Sequence, residues 1–397
     1  MKLVGIMLIG ALGLGPGCLE AEHLWESSLF DGAAALRVEV EGESAAEQTA
    51  IVLANLPGGK SSGSRSSRSR ERLLEDGFRI VRIDYERREE AVYPAICQDI
   101  AKLRSDLLKG SFLSELNLNQ ARIFVLPEGY AVASSVPYFE AEERTLYLDI
   151  AYPLELVEGA KVPALLEFSC DNRDRMGNYS LVACRDTLLE GMAFAGYATA
   201  MADHPVAAPY KGLDPMPDCG YKVKAAVRTL RATGNGLGLS GELGVLGFSR
   251  GSGMALLLAA SQNSGEFEGV GPNREVDSSV QAAVVLSGRF SYLDLLDDDH
   301  MLPRYERAWG KREDFESVWR KQGALDYLDR PTIPLFLSIN SGEGPDAQHQ
   351  MKLLRARLSQ LGSEFTYLED GDGKGHKVPI DGTLLEAMWT YLKGCLQ

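Results

Sequence analysis

The 397-residue chain is long enough for two domains, or for one large α/β domain with an additional module. Hydrophobic residues make up 45% of it, which is enough for a sizeable core and excludes a chain that is disordered throughout. The formal net charge is −15, and this acidity argues against nucleic acid as a partner, because phosphate backbones are bound by clustered lysine and arginine.

Residues 1–22 have the composition of an export signal. Lys2 precedes an apolar run over residues 3–15, which is followed by a Pro-Gly-Cys sequence that ends at Cys18. A basic start, a short apolar run and small residues before a cleavage point are typical of secretory signals. The position of Cys18 further predicts a lipoprotein signal with a lipid anchor on that cysteine. We therefore expect an exported protein that is periplasmic, a cell-surface lipoprotein or secreted; a buried strand or helix is the alternative for this segment.

The cysteine pattern predicts neither a zinc site nor a disulfide-rich scaffold. Six cysteines are present, and no two of them form a CxxC pair. One disulfide is compatible with this number in an oxidising compartment, and the sequence favours no particular pair.

Downstream of the signal, strand-like and helix-like segments alternate, which predicts an α/β protein with a largely parallel sheet. We predict an N-terminal α/β region over residues 23–133 and a catalytic domain over residues 134–397. In the first region the predicted strands lie at residues 34–42, 49–56, 79–85 and 121–129, with a helix at 98–108. In the second region we predict strands at 134–153 (two adjacent strands), 161–172, 196–203, 242–249, 280–288, 333–340 and 364–370, and helices at 185–195, 223–233, 250–261, 347–362 and 384–396.

Two stretches of the chain resemble each other. Gly77 precedes Asp84 by the same spacing at which Gly196 precedes Asp203, and each aspartate is followed by a predicted helix and strand. Where the second stretch continues into the Gly-Phe-Ser of residues 247–249, the first has Pro-Glu-Gly. The N-terminal region is then either a degenerate, non-catalytic repeat or an unrelated βα unit of similar pattern.

The motif G-x-S-x-G occurs twice, at residues 247–251 and at residues 59–63. A nucleophile elbow requires a buried strand that runs directly into the serine and a helix that begins directly after it. Small flanking residues are also needed, because the turn is strained and the backbone approaches closely. Ser249 has this context, whereas Ser61 follows a Pro-Gly-Gly sequence and precedes a polar Ser/Arg-rich tract. The sequence therefore predicts Ser249 as a nucleophile.

A serine hydroxyl needs an adjacent base, and with this elbow the triad follows the chain order Ser–acid–His. Only His300, His349 and His376 follow Ser249. His376 lies in a Gly-Lys-Gly-His loop directly after a predicted strand, whereas His300 follows an acidic run and His349 falls early in a predicted helix. We predict His376 as the base.

The acid of the triad should follow the penultimate strand, at residues 341–346. Counting from the end of the strand favours Glu343, and the general frequency of aspartate in this role favours Asp346. Asp346 would alternatively stabilise the start of the next helix. Both carboxylates remain candidates.

An oxyanion hole needs two N–H donors. One is predicted to be the backbone N–H of Arg250, directly after the nucleophile. The other should come from the loop after residues 161–172, where many esterases carry His-Gly-Gly and this chain has Ser-Cys-Asp-Asn. The predicted donors are the backbone N–H groups of Asp171 and Asn172, or the Asn172 side chain.

From about residue 134 onward, the elbow, the GKGH loop and their order resemble the α/β-hydrolase superfamily. The segment 134–153 is similar to that of secreted carbohydrate esterases, including the feruloyl and acetyl xylan types, and of dienelactone-hydrolase-like enzymes. The resemblance implies an α/β-hydrolase fold, with a mostly parallel sheet and helices on both faces, beside the N-terminal α/β region. It implies a serine esterase that forms an acyl-enzyme on a small-molecule or carbohydrate ester and needs no metal or organic cofactor.

Other interpretations compete with this one. A serine peptidase would carry the same triad, and a non-catalytic surface lipoprotein could retain the elbow as a relic. Residues 54–61 also fit a loose phosphate-binding loop, and a strand that ends at Asp84 could hold magnesium. Nucleotide binding is disfavoured because Ala54 replaces the first glycine of that motif and Pro57 removes a backbone donor.

Overall fold

The computed structural model describes residues 2–7, 21–26, 36–43, 46–54, 67–84, 95–109, 112–118, 121–142, 144–169, 188–206, 215–262, 264–370, 375–377 and 382–396. The chain divides into two compact units. The first unit comprises Met1–Ala133, Ala151–Ala160 and Met176–Ala198. The second unit comprises Ser134–Ile150, Lys161–Arg175 and Thr199–Gln397. The main division thus falls between residues 133 and 134, and the first unit also takes up two later segments.

The first unit contains a six-stranded mixed sheet. Its strands are β1 (Lys2–Met7), β2 (Ala21–Glu26), β3 (Leu36–Glu41), β4 (Gln48–Ala54), β5 (Phe78–Asp84) and β6 (Arg122–Pro127), in the order β1-β2-β3-β5-β4-β6. Strand β4 pairs in parallel with β5 and β6, and the pairings of β1, β2 and β3 are antiparallel. The helices of this unit are α1 (Ser67–Glu75), α2 (Ala95–Lys109), α3 (Phe112–Glu115) and α4 (Leu188–Phe194).

The core of the first unit forms because the apolar faces of these elements pack together. Phe78 on β5 and Phe124 on β6 meet edge to face, with ring centroids 5.6 Å apart. Leu73 of α1 packs into the same cluster. The buried Tyr130 hydroxyl donates a hydrogen bond to the Tyr197 carbonyl at 3.0 Å, so its polar atom is satisfied inside the core.

The second sheet has eight strands. Its strands are β7 (Tyr130–Glu140), β8 (Thr145–Pro153), β9 (Val162–Phe168), β10 (Ala198–Ala202), β11 (Leu239–Phe248), β12 (Ala282–Leu286), β13 (Leu335–Asn340) and β14 (Phe365–Asp370). Their order is β14-β13-β12-β11-β9-β10-β8-β7. Strands β9, β11, β12, β13 and β14 pair in parallel. Every residue of β12 and β13 is buried, as expected for apolar strands that are covered on both faces.

Helices connect these strands. They are α5 (Asp218–Gly236), α6 (Arg250–Ser261), α7 (Leu302–Trp309), α8 (Glu316–Gln322), α9 (Pro345–Leu361) and α10 (Gly382–Cys395), with a short 3₁₀ turn at Ala324–Tyr327. Because β11 to β14 are parallel, their carboxyl ends lie at one edge of the sheet, where ligands bind in folds of this type. The residues that directly follow these strands therefore converge there.

The same strand order occurs in both sheets. The first sheet contains β3-β5-β4-β6 and the second contains β8-β10-β9-β11. The two stretches that resemble each other in sequence lie at equivalent places, on β5 and β10. The chain continues from β11 into a helix, but from β6 it turns directly into β7. This agreement in order is consistent with a degenerate repeat, which remains a hypothesis.

Several predicted features fall wholly or partly outside the described residues. Residues 3–7 of the predicted signal lie in β1, which pairs with β2, while Cys18 is outside the described segments. The second G-x-S-x-G match and most of the phosphate-loop match are outside them as well. Within them, Cys97, Cys219 and Cys395 are not part of a disulfide bond. None of the described helices combines the length and the apolar character needed to span a bilayer.

Candidate active site

Ser249 occupies a strained turn between β11 and α6. Its backbone angles are φ 56° and ψ −116°, in the left-handed half of conformational space that residues other than glycine rarely enter. The Ser249 N–H donates to the Leu286 carbonyl at 3.0 Å, which ties the turn to the neighbouring strand β12. A buried strand, a strained serine and an immediate helix form the nucleophile-elbow geometry that the sequence predicts.

The two glycines of the motif are required by close backbone contacts. A Cβ atom on Gly247 would lie 2.2 Å from the Gly251 carbonyl oxygen. A Cβ atom on Gly251 would lie 2.7 Å from the carbonyl oxygen of Phe168, the last residue of β9. Both distances are shorter than van der Waals contact, so the chain folds this tightly only because these positions have no side chain.

His376 links Ser249 to a carboxylate. Its Nε2 atom lies 2.8 Å from Ser249 Oγ, and its Nδ1 atom lies 2.7 Å from Glu343 Oε1. The imidazole also stacks on the Phe248 ring, with centroids 4.7 Å apart and planes inclined by 30°. The ring is thus held by both of its nitrogens and by one of its faces.

Glu343 is held in the turn that follows β13. Its N–H donates to the Asn340 carbonyl at 3.0 Å, and its side chain is only 4% exposed. Ser287, which follows β12, donates from its Oγ to Glu343 Oε1 at 2.6 Å. Burial acts to raise the pKa of Glu343, but the hydrogen bonds from His376 and Ser287 and the charges of His376 and Arg289 outweigh it, so the pKa lies below its usual value. The carboxylate therefore stays ionised.

Asp346, the other predicted acid, lies elsewhere. It falls in the first turn of α9, where its carboxylate is 3.2 Å from His300 Nδ1 and 3.7 Å from Arg289 Nη2. Of the two carboxylates that the sequence left open, only Glu343 contacts His376. The reason is geometric: Glu343 is still in the turn at the sheet edge, whereas Asp346 has already entered the helix.

The predicted oxyanion donors are described only in part. Arg250 is the first residue of α6, so its backbone N–H belongs to the helix terminus beside Ser249, where N–H groups have no partner within the helix. Asp171 and Asn172 lie outside the described residues. The strand before them, β9, ends at Phe168, earlier than the predicted 172, and the Phe168 carbonyl oxygen lies beside Gly251 of the elbow.

A pocket opens beside Ser249 in the second unit. The residues that line it include His204, Ser249, Arg250, Arg289, Tyr292 and Trp309, and no acidic residue is among its described lining residues. His204 Nδ1 accepts a hydrogen bond from the Val206 N–H at 3.1 Å and lies 3.4 Å from Arg250 Nη2. Burial, together with the charge of Arg250, lowers the pKa of His204 well below its usual value, so the ring is neutral.

Sequence reasoning missed Ser287, Arg289 and His204. One available signal was position, because Ser287 and Arg289 follow β12, the parallel neighbour of β11, and such carboxyl ends carry functional groups. His204 follows β10 and precedes Ser249 in the chain, so the chain order Ser–acid–His excludes it from the candidate bases.

In the described part of the chain, one group of three side chains has the spacing of metal ligands: Asp299, His300 and Asp346. Arg289 enters this group, with Nη2 2.8 Å from Asp299 and 3.7 Å from Asp346. The Arg289 guanidinium already pairs with both carboxylates, so the group is better described as an ion-pair network than as a metal centre.

Comparison with known proteins identifies the fold. No protein-family model and no curated protein matches the sequence. Among solved structures, a truncated carbohydrate esterase from gut microbiota is 18% identical, with a TM-score of 0.55, over 67% of this chain and 96% of that chain. A bifunctional GH43-CE protein of Bacteroides eggerthii is 18% identical, with a TM-score of 0.54, over 66% of this chain and 38% of that chain. An acylaminoacyl peptidase of Pyrococcus horikoshii is 16% identical, with a TM-score of 0.50, over 65% of this chain and 41% of that chain.

At these identities the similarity establishes the fold and not the reaction. It agrees with the mostly parallel eight-stranded sheet, and the chain has a separate six-stranded sheet in its first unit as well. The prediction from the sequence is confirmed: this chain has the α/β-hydrolase fold, with an additional N-terminal α/β region.

Proposed function

We propose that this protein is a serine ester hydrolase, with Ser249 as nucleophile, His376 as base and then acid, and Glu343 as the third member of the triad. The observation that carries the proposal is the unbroken series of short contacts from Ser249 Oγ through both nitrogens of His376 to Glu343. A serine, an imidazole and a buried carboxylate in this arrangement are the parts that acyl transfer requires.

In the proposed mechanism, His376 carries its proton on Nδ1, which donates to Glu343, and accepts the Ser249 proton at Nε2. The serine oxygen attacks the ester carbonyl carbon and forms a tetrahedral intermediate. Protonated His376 then gives its proton to the departing alcohol, which leaves an acyl-enzyme on Ser249. A water molecule gives a proton to His376 and attacks the acyl carbon, and His376 returns that proton to Ser249 as the acid product leaves.

The negative oxygen of the tetrahedral intermediate needs donors that are already in place. We propose the backbone N–H of Arg250, because it lies at the N-terminus of α6 directly after the nucleophile, where the helix dipole also favours negative charge. The second donor is proposed to come from the segment after β9, with Asp171 and Asn172 as its candidates.

The experiment that tests this function combines labelling with substitution. We expect a fluorophosphonate to add its mass to Ser249, and Ser249→Ala to lose labelling and to lower kcat on 4-nitrophenyl acetate by about 10⁵ to 10⁶. Ser61→Ala, in the other G-x-S-x-G sequence, is the matched control and should behave like the wild type. Full activity in Ser249→Ala would refute the proposal. Absence of labelling in a folded protein would favour a non-catalytic surface protein.

A serine peptidase is the second candidate, because an acylaminoacyl peptidase is among the structures that share the fold. The same triad cleaves amides when the site positions a peptide. A 4-nitrophenyl ester and a peptide 4-nitroanilide with the same acyl group separate the two functions. We expect the ester to be hydrolysed and the anilide to be cleaved much more slowly; the reverse preference would establish the peptidase.

The proposed substrates are small-molecule or carbohydrate esters, and the proposed location is outside the cytoplasm. Support for the substrate class comes from the carbohydrate esterase of the same fold, and support for export comes from the apolar run that precedes Cys18. Hydrolysis of acetylated sugars by the purified protein and fractionation of the producing cells test these proposals separately.

A further inference from the structure

Arg289, in the pocket beside Ser249, is held by a fixed pair of hydrogen bonds. Its Nε lies 2.9 Å from Asp299 Oδ2 and its Nη2 lies 2.8 Å from Asp299 Oδ1. The Asp299 side chain is fully buried and also accepts the Met301 N–H at 2.8 Å. A two-point pair with a buried, anchored carboxylate fixes the plane of the guanidinium as well as its position.

The backbone that carries Arg289 is equally constrained and passes close to the nucleophile. A Cβ atom on Gly288 would lie 2.8 Å from the Ser249 carbonyl oxygen, so the chain fits there only because residue 288 is glycine. On the other side of Arg289, the N–H groups of Phe290 and Ser291 both donate to Oε1 of the buried Gln350 at 2.8 Å.

One edge of this guanidinium is left for another partner. Nε and Nη2 face Asp299 and Asp346, whereas Nη1 has no hydrogen-bond partner within the described segments. The Arg289 side chain is 22% exposed and lines the pocket that also contains Ser249. Two N–H groups on a rigid support are therefore available to a bound molecule.

The charges around Arg289 indicate which chemical group it takes. Asp299 and Asp346 already offset the single positive charge of the guanidinium, so a neutral oxygen is favoured over a further anion. The partly buried Tyr292 lines the same pocket and offers apolar surface beside the polar edge. The buried Trp309, which stacks on Tyr305, meets the Tyr292 ring edge to face with centroids 5.3 Å apart and so supports it. A ring that carries C–H groups on its faces and oxygens at its rim matches this combination.

We propose that Arg289 is a substrate-binding residue whose Nη1 edge donates hydrogen bonds to the hydroxyl or ring oxygens of a carbohydrate, while the sugar ring packs on Tyr292. This inference rests on the proposed ester hydrolase function and makes it more specific, because it assigns the alcohol part of the ester to a sugar. The fixed guanidinium loses little conformational freedom on binding, which makes it an effective discriminator between oxygenated and plain hydrocarbon rings.

The test compares two acetates, one on a sugar ring and one on a six-membered hydrocarbon ring. Methyl 6-O-acetyl-glucopyranoside and cyclohexylmethyl acetate are both primary acetates, and acetate release is followed by titration at fixed pH. We expect the wild type to prefer the sugar ester in kcat/KM by about tenfold or more, since loss of a hydrogen bond to a charged group has an effect of that order. Arg289→Lys keeps the positive charge beside Asp299 but lacks the N–H donors that Nη1 supplies. We expect this variant to reduce the preference for the sugar ester by about tenfold, mainly through KM.

Arg320→Lys is the matched control, because Arg320 is exposed on α8 and pairs with Glu316 outside the pocket; it should keep the wild-type preference. Should Arg289→Lys fail to fold, Arg289→Gln replaces it. An effect transmitted through Glu343 would change both acetates equally and leave their ratio intact. A wild-type ratio near one, or a preference retained in the Arg289 variants, overturns this inference. Continued fluorophosphonate labelling and hydrolysis of 4-nitrophenyl acetate in that case would leave the ester hydrolase function standing.

Discussion

The hydroxyl of Ser287 lies 2.6 Å from Glu343 Oε1, the same oxygen that lies 2.7 Å from Nδ1 of His376. Glu343 Oε1 thus accepts hydrogen bonds from His376 and from the buried Ser287, which precedes Glu343 in the chain by 56 residues. Ser287 is itself held, because its N–H donates to the Ser338 carbonyl at 2.9 Å while its backbone adopts φ 50°. Ser287 is therefore a positioning residue for the proposed triad.

Ser287→Ala should raise the pKa of Glu343 and lower the rate. The pKa of this carboxyl lies below its usual value of 4.5, so the ionised form is stable above that pH and is lost as the pH falls through the folded-state pKa. Without the Ser287 hydrogen bond the pKa moves up toward 4.5, and protonation begins at a higher pH. We expect a kcat about tenfold lower and a higher midpoint in a ¹³C carboxyl titration of the labelled protein.

Ser338→Ala provides the control for this prediction. Ser338 is buried on β13, and its Oγ has no hydrogen-bond partner in the described part of the chain. Its removal deletes a buried hydroxyl of the same size without touching Glu343. A Glu343 midpoint that is unchanged in Ser287→Ala, or equally changed in Ser338→Ala, would contradict the positioning role.

Glu343→Gln and Asp346→Asn distinguish the two carboxylates that the sequence could not separate. Glutamine at position 343 cannot accept the Nδ1 proton as a carboxylate does and permits the wrong histidine tautomer, so kcat should fall about 10³- to 10⁴-fold. Asp346→Asn breaks contacts to His300 and Arg289 rather than to His376, so kcat on 4-nitrophenyl acetate should fall less than about tenfold. Steady-state kinetics of both variants give the answer, and equal losses would show that the observed geometry does not govern catalysis.

Gly247→Ala and Gly253→Ala should have opposite effects on stability. The added methyl group would lie 2.2 Å from the Gly251 oxygen in the first case, but no closer than 3.7 Å to the Arg289 oxygen in the second. We expect Gly247→Ala to lower the free energy of unfolding by about 2 kcal/mol or more and to abolish phosphonate labelling, because the elbow must deform. Gly253→Ala, in the first turns of α6, should raise stability by about 0.5 to 1 kcal/mol. Urea unfolding of both variants tests the pair; a tolerated Gly247→Ala would mean that the turn is looser than observed.

The local sequence was sufficient to predict those site residues whose positions depend on their neighbours in the chain. Ser249 follows from a buried strand, a crowded turn and an immediate helix, all within residues 242–261. His376 follows from chain order and from its loop after β14. The α/β class follows from the alternation of elements, which the two sheets bear out.

Choices that depend on side-chain direction could not be made from the sequence. Glu343 and Asp346 are three positions apart, and only the turn that begins at Asn340 decides which of them faces His376. Ser287 and Arg289 follow a strand that the sequence predicts, but their roles depend on β12 lying between β11 and β13. The contacts that complete the site join residues far apart in the chain, and the hydrophobic periodicity that predicts strands and helices carries no information about such contacts.

His204 should make the stability of the protein sensitive to mild acid. Burial, reinforced by the charge of Arg250, holds its pKa well below 6.5 in the folded state, whereas in the unfolded chain it titrates near its ordinary value. The contribution of neutral, buried His204 to the free energy of unfolding is therefore fully present above about pH 6.5. As the pH falls further, this contribution is lost at up to about 1.4 kcal/mol per pH unit until the folded-state pKa is reached. The loss attributable to Glu343 begins only below pH 4.5, so the decline between pH 6.5 and pH 4.5 does not include it.

His204→Asn removes this titration while its Oδ1 can still accept the Val206 N–H. Urea unfolding between pH 7 and pH 5 should show a shallower decline for the variant than for the wild type, even if the variant is less stable at pH 7. Parallel declines would mean that His204 becomes protonated in the folded state. A protonated His204 would lie beside the Arg250 guanidinium in the pocket, and acid would then act on the site itself rather than on folding.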